Sequence, residues 1–238
     1  SIAAKDSQRK IRHRQRATRH RGRAVRRGVA LARRIWRGRW PGVATIFAHT
    51  RTENAQAIAG TDGANTSNTG SLFWSPDGES IGFAATGQLK RVELKSGLAR
   101  NLAAAPNVIG GTWAPDGTIL FVPSPASPVL RINGGGGDSV PATTLVAGQV
   151  GHRFPQFLPD GRHFIFLAVG TKQTRGIYVG SIDSPDARRL FESDSRAVFT
   201  PPNALIYMRQ GALEARRLNL DTLSLEGDAR PVASSVLV

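Results

Sequence analysis

Short apolar runs of period two recur along this chain, and each is entered through the same kind of tight turn. After "FWSPDG" come Ile81 and Phe83, and after "TWAPDG" come Ile119 and Phe121. After "QFLPDG" come Phe164 and Phe166, and after "VFTPPN" come Leu205 and Tyr207. Apolar residues at alternate positions over a few residues describe a strand with an inward row of side chains. A second strand-like run follows in each copy: "QLKRVEL" (88–94), "PVLRIN" (128–133), "RGIYVGSI" (175–182) and "GALEARRLNL" (211–220). Edge-like pieces close the unit, as in "ARNLA" (99–103), "ARRLF" (187–191) and "ARPVA" (229–233).

The turns share a residue at each position. Trp74, Trp113, Phe157 and Phe199 precede them, and Pro76, Pro115, Pro159 and Pro201 open them. Asp77, Asp116 and Asp160 follow, then Gly78, Gly117 and Gly161, with Pro202 and Asn203 standing in for Asp-Gly in the fourth copy. Proline sets φ for the first central position, aspartate bonds nearby amides, and glycine accepts positive φ. Asparagine suits the glycine position because it tolerates the left-handed region. From Asp77 through Asp116 and Asp160 to Pro202 the steps are 39, 44 and 42 residues. Repeats of that length, each with four short strands, predict propeller blades.

The predicted fold is therefore all-β: a partial β-propeller of about four four-stranded blades, starting near positions 72, 111, 155 and 197. The segment "ATIFAHTRTENAQAIAG" (44–60) aligns with the second half of a blade, so part of a preceding blade is expected there. A turn and strand should lie upstream of it, where an arginine-rich run stands instead. Both ends of the chain thus read as cut.

Charge changes the picture only at the N-terminus. Of 32 Lys and Arg, 15 lie in residues 1–40 beside a single acid, Asp6, leaving 17 basic and 16 acidic residues for the rest. The net charge of +15 is thus a property of one segment. Residues 1–43 are expected to be disordered or artefactual, with 44–238 forming the propeller region. An arm of this kind can neutralise nucleic-acid phosphates, with His13, His20, Trp36 and Trp40 nearby, but a solvated charge run is the favoured reading. Cysteine is absent, which leaves the compartment open between cytoplasm and periplasm. No apolar stretch is long enough to predict a membrane span.

The aromatic-x-Pro-Asp-Gly turn followed by an apolar strand resembles the TolB-like, WD-repeat-related β-propeller repeat of bacteria, over about residues 44–238. "FWSPDGESIGFAATGQLKRVEL", "GGTWAPDGTILF" and "HRFPQFLPDGRHFIF" are similar to the propeller region C-terminal to bacterial, eukaryote-like serine/threonine protein kinases. The blades also resemble those of TolB itself and of prolyl-oligopeptidase-type hydrolases. The resemblance implies a larger parent protein with further blades and, in the first case, a kinase domain.

Catalytic motifs are missing from the chain itself. It has no Gly-rich phosphate loop, no His-Arg-Asp and no Asp-Phe-Gly of a kinase, and no Gly-x-Ser-x-Gly elbow of a hydrolase. "GGGG" at 134–137 lies between strand-like runs and reads as a hairpin loop. His49, His152 and His163 are scattered, and one carboxylate per turn does not make a calcium loop. The remaining binding candidates are His152 and Arg153, at the entry to the third complete blade. As a pair they can bind a carboxylate or phosphate; alternatively His152 bonds the adjoining turn and Arg153 is solvated. Trp74 and Trp113 read as core residues between blades. The expectation is a non-catalytic scaffold with no cofactor and no metal, whose partner is a protein or small ligand on the propeller face. A nucleic-acid partner is disfavoured, and no compartment is predicted.

Overall fold

The structure, a computed structural model, describes residues 35–40, 43–49, 55–65 and 71–233. Residues 1–34 of the arginine-rich segment, with His13 and His20, lie outside the described residues. Its last part does not stand apart from the sheets. Ile35–Trp40 is a strand, β1, antiparallel to β2 (Val43–His49), which pairs with β3 (Ala55–Ala57). Among the described residues the first strand is thus Ile35–Trp40, inside the arginine-rich segment. A strand occupies the place where the pattern predicted only the arginine run.

Four complete sheets follow, each antiparallel with strands in sequence order. Blade 2 is β4 (Leu72–Trp74), β5 (Ser80–Ala85), β6 (Gln88–Glu93) and β7 (Ala99–Ala104). Blade 3 is β8 (Gly111–Trp113), β9 (Thr118–Phe121), β10 (Leu130–Asn133) and β11 (Val140–Pro141). Blade 4 is β12 (Gln149–Phe157), β13 (His163–Gly170), β14 (Gly176–Ser181) and β15 (Ser184–Phe191). Blade 5 is β16 (Ala197–Thr200), β17 (Ala204–Arg209), β18 (Ala212–Leu218) and β19 (Leu225–Ala233). First strands of successive blades lie beside one another, β4 by β8 and β8 by β12, which sets the blades around a common axis.

The period-two rows are only one face of the second strands β5, β9 and β13, because both faces of these strands are buried. Ile81, Phe83 and Ala85 pack with Ile58 and Ala64 of the segment after β3, while Ala84 joins Phe121 and Ile132 of blade 3. In β9, Ile119 and Phe121 pack on blade 2, and Leu120 packs on Phe164 and Phe166 of blade 4. In β13, Ile165 and Leu167 turn the other way, onto Leu205 and Tyr207 of blade 5. Each fully buried aromatic or aliphatic side chain contributes about 1.5–3 kcal/mol, so these interblade seams carry most of the cohesion. Trp74 and Trp113 border the first two complete seams, with Trp113 edge-on to Phe73 and under the Arg91 guanidinium.

Close packing explains several glycines. The Phe73 ring occupies the space a side chain at Gly82 or Gly111 would need, with ring carbons 2.3 and 2.2 Å from the respective Cβ positions. A Cβ at Gly134, the first of the four consecutive glycines, would lie 2.5 Å from Trp113, and the Gly134 carbonyl accepts from Arg91 Nη1 at 3.2 Å. That loop is thus tied to the blade 2 seam.

Candidate functional site

The three Pro-Asp-Gly turns are built alike. Gly78, Gly117 and Gly161 donate to the carbonyls of Ser75, Ala114 and Leu158, closing turns whose central residues are Pro76-Asp77, Pro115-Asp116 and Pro159-Asp160. All three glycines take positive φ, between 66° and 91°. Asp77 Oδ1 accepts from Ser75 Oγ at 2.5 Å and from the Glu79 N–H at 2.9 Å. Asp116 accepts from the N–H and hydroxyl of Thr118. Asp160 Oδ1 accepts from the N–H groups of Arg162 and His163, and Oδ2 lies 2.5 Å from His163 Nδ1.

These bonds also set the ionisation of two of the carboxyls. The Ser75 hydroxyl, then the Glu79 amide, holds the Asp77 carboxyl below the usual range. Burial pushes Asp160 up, but the bonds from His163 and the two backbone amides outweigh it and hold that carboxyl low as well. The fourth turn departs from the pattern. Its Pro201–Pro202 bond is cis, and Asn203 is not among the residues of positive φ, so the left-handed asparagine expected there is not the solution used.

His152 and Arg153 do not form a joint site. They are successive residues of β12 opposite Ala168 and Leu167, and successive strand residues point to opposite faces. His152 is 1% exposed, with its ring 4.5 Å from that of Phe166. Thr143 Oγ1 accepts from the Val129 N–H, which leaves its hydroxyl to donate to His152 Nδ1 at 2.8 Å. His152 Nε2 then donates to Gln149 Oε1 at 3.0 Å, an oxygen that also accepts from the Val146 N–H. This chain assigns a neutral ring with its proton on Nε2. Burial pushes the imidazole down to about 4. The adjoining cavity, about 110 Å³, is bordered by Thr144, Val146 and Tyr178. Arg153 is half-buried, and its Nε finds no acceptor.

The first strands also enclose a small central cleft of about 190 Å³. Phe154 enters it at a β-bulge with φ of +53°, and Arg196 lies over its ring at 5.4 Å. Gln156 bridges the next blade like a strand, exchanging bonds of 3.1 and 2.8 Å with the Phe199 backbone.

A larger cleft, about 590 Å³, opens between blades 4 and 5 beside the β13–β14 and β17–β18 hairpins. The rings of Phe191 and Tyr207 meet there at 4.6 Å. Lys172, Arg209 and Arg216 supply positive charge, and Asp194 and Asp228 negative charge. Arg175 is already held by Glu192 at 3.1 Å. Burial, then the neighbouring Glu214 carboxylate, pushes the Tyr207 hydroxyl up. Sequence reasoning missed this cleft. Its residues run from Lys172 to Ala229 over two blades, and it is the packing of one blade on the next that brings them together.

No family model matches the chain, and no curated protein matches it. Solved structures do. TolB from Acinetobacter baumannii matches over 81% of this chain at 16% identity and a TM-score of 0.60. A nidogen/laminin complex matches over 80% at 13% identity and 0.61, covering 75% of that chain. An oligogalacturonate lyase in complex with manganese matches over 76% at 14% identity and 0.54, covering 61% of that chain. The chain spans about half the length of TolB, 50%. At these identities the likeness establishes the fold: a TolB-like β-propeller. One fold here serves enzymes and non-enzymes alike, so function must be argued from the site.

Proposed function

We propose that this chain is a non-catalytic β-propeller scaffold that binds a protein or small ligand in the cleft between blades 4 and 5. The observation that carries this reading is the cleft's composition. It joins an aromatic pair to charged side chains that make no ion pair among the described residues. The lining is mostly charged and polar around that one aromatic pair, which suits a polar or charged ligand. The turn aspartates and His152, by contrast, already spend their polar atoms on the fold.

The parent protein in this reading is a bacterial serine/threonine protein kinase, with the propeller as its sensor region. The resemblance of "FWSPDGESIGFAATGQLKRVEL" and its later copies to kinase-attached propellers supports that assignment. A TolB-like periplasmic protein is the second reading, favoured by the match to TolB itself.

Two measurements test the proposal. Thermal-shift titration with dipeptides, monosaccharides and nucleotides should show protection of the chain by one class. That protection should vanish in Ala229→Trp, which fills the cleft, and the ligand should be recovered unchanged by mass spectrometry. Turnover of the ligand, or protection that survives Ala229→Trp, would overturn the reading. Reading the coding sequence upstream of Ser1 decides the parent: a kinase domain supports the first assignment, and a hydrolase domain removes it.

A further inference from the structure

Five pairs of an aspartate or asparagine with a following glycine lie in this chain: Asp62–Gly63, Asp77–Gly78, Asp116–Gly117, Asn133–Gly134 and Asp160–Gly161. Such a pair can close on itself, because glycine has no Cβ to shield its peptide nitrogen from the preceding side-chain carbonyl. Four of the five are held away from that reaction by hydrogen bonds. Gly78, Gly117 and Gly161 donate their N–H groups to the carbonyls of Ser75, Ala114 and Leu158, and Gly134 donates to that of Gly117 at 2.8 Å. Asp77, Asp116 and Asp160 accept from backbone amides beyond their glycines, and Asn133 Oδ1 does so from Gly135. Asp62–Gly63 sits in a different frame. The Ala64 N–H donates to the Thr61 carbonyl at 3.2 Å, so Asp62 and Gly63 are the two central residues of the turn. Gly63 takes the positive φ, +72°, of the second central position in a type II turn. Its N–H is therefore not the one that closes the turn, and among the described residues neither it nor the Asp62 carboxyl has a hydrogen-bond partner. Both residues are exposed, whereas Thr61 and Ala64 on either side are buried.

We propose that Asp62–Gly63 converts spontaneously to isoaspartate, and that the conversion loosens the packing of this segment on blade 2. The Gly63 nitrogen bonds to Cγ of the Asp62 carboxyl in its acid form, and the N–H proton and the carboxyl hydroxyl leave together as water. The succinimide so formed takes up one water. Opening at Cγ restores aspartate, whereas opening at the main-chain carbonyl leaves the backbone running through Cβ and Cγ. That path is longer by one carbon, just before Ala64. Ala64 bridges to Ala85 and packs with Ile81 and Phe83, and the next N–H, of Asn65, donates to the Ala84 carbonyl at 2.7 Å. A lengthened backbone cannot keep both the turn and these contacts.

Ageing the full chain in heavy-oxygen water at neutral pH and body temperature tests the assignment. Chymotrypsin cuts at Phe73 and Trp74, between Asp62 and Asp77, so mass spectrometry reads the four Asp-Gly sites in separate peptides. Asp62 should take up label and convert faster than the three turn aspartates by about tenfold or more, because theirs must first open hydrogen bonds. In concentrated urea the four should convert at similar rates, which separates structure from sequence. The denaturant midpoint of the wild type should fall with age, and that of Asp62→Glu should hold, since its longer side chain closes a larger ring more slowly. Conversion at Asp62 no faster than at the turn aspartates in the native chain would overturn the proposal, and so would a rate order unchanged in urea. An aged, converted chain with an undiminished midpoint would overturn the loosening. The peptide map of the wild type decides the site even where Asp62→Glu fails to fold.

Discussion

His152 is held neutral in a buried network, and that state has a pH signature. Its ring titrates at about 4 in the native protein, against 6.5 for an unperturbed histidine. Above pH 6.5 the ring is neutral in both folded and unfolded chains and contributes no pH dependence. As pH falls from 6.5 towards 4, the unfolded chain takes up a proton that the native ring refuses, so stability drops. The slope is at most about 1.4 kcal/mol per pH unit, a total of about 3 kcal/mol, and it flattens below pH 4. Urea midpoints at pH 7.5, 5.5 and 4.5 should show this fall, and His152→Gln should show a shallower one. Identical profiles would mean that His152 does not carry the effect. The pair His152-Arg153 was legible in the sequence as unusual chemistry at the head of a strand. That it splits across two faces was not, because the partners of His152 include Thr143, on a segment outside its own blade.

At the scale of the element, the Pro-Asp-Gly hairpin was the most legible feature of the chain. Its aspartate, glycine and flanking strands each follow from local turn chemistry, and the second strands of all four complete blades fall where the pattern placed them. What escaped has a local reason as well. Strand β11 is only Val140–Pro141, too short to show any period. The bulge between Arg153 and Gln156 exists because the Phe154 N–H turns to the Ile109 carbonyl at 3.0 Å, beside a glycine, Gly110, that leaves room for it. The turn can be tested where it is most exposed. Asp77→Ala removes the acceptor of the Ser75 hydroxyl and the Glu79 amide while leaving the Ser75–Gly78 backbone bond. The expected loss is about 1 kcal/mol, read from denaturant unfolding. Because the folded Asp77 carboxyl is held low, this contribution is present above the usual aspartate range and disappears as pH falls through it. The difference between wild type and Asp77→Ala should therefore shrink in acid; a constant difference would count against the carboxylate.

For the whole molecule, the arrangement of seams leaves one sheet face with a distinct fate. Between blades 2 and 5 every seam is filled by alternate residues of the second strands, so blades 3 and 4 are covered on both sides. The far face of blade 5 carries its own apolar row: register sets Val198, Ile206 and Ala215 side by side, with Met208 and Leu213 next to them. Among the described residues no buried cluster includes that row, and Val198 is 42% exposed. The same alternation that made the fold legible therefore predicts a surface built like a seam. Its outer strand β19 is also a sheet edge, with Val232 exposed. Apolar sheet faces and open edges promote association between copies. Light scattering on the purified chain should show a mass that rises with concentration. The double variant Val198→Lys, Ile206→Lys should lower it towards that of one chain, without altering ligand protection at the cleft on the opposite side of the same blade. A mass of one chain for the wild type at every concentration would show that the exposed row is tolerated as it stands.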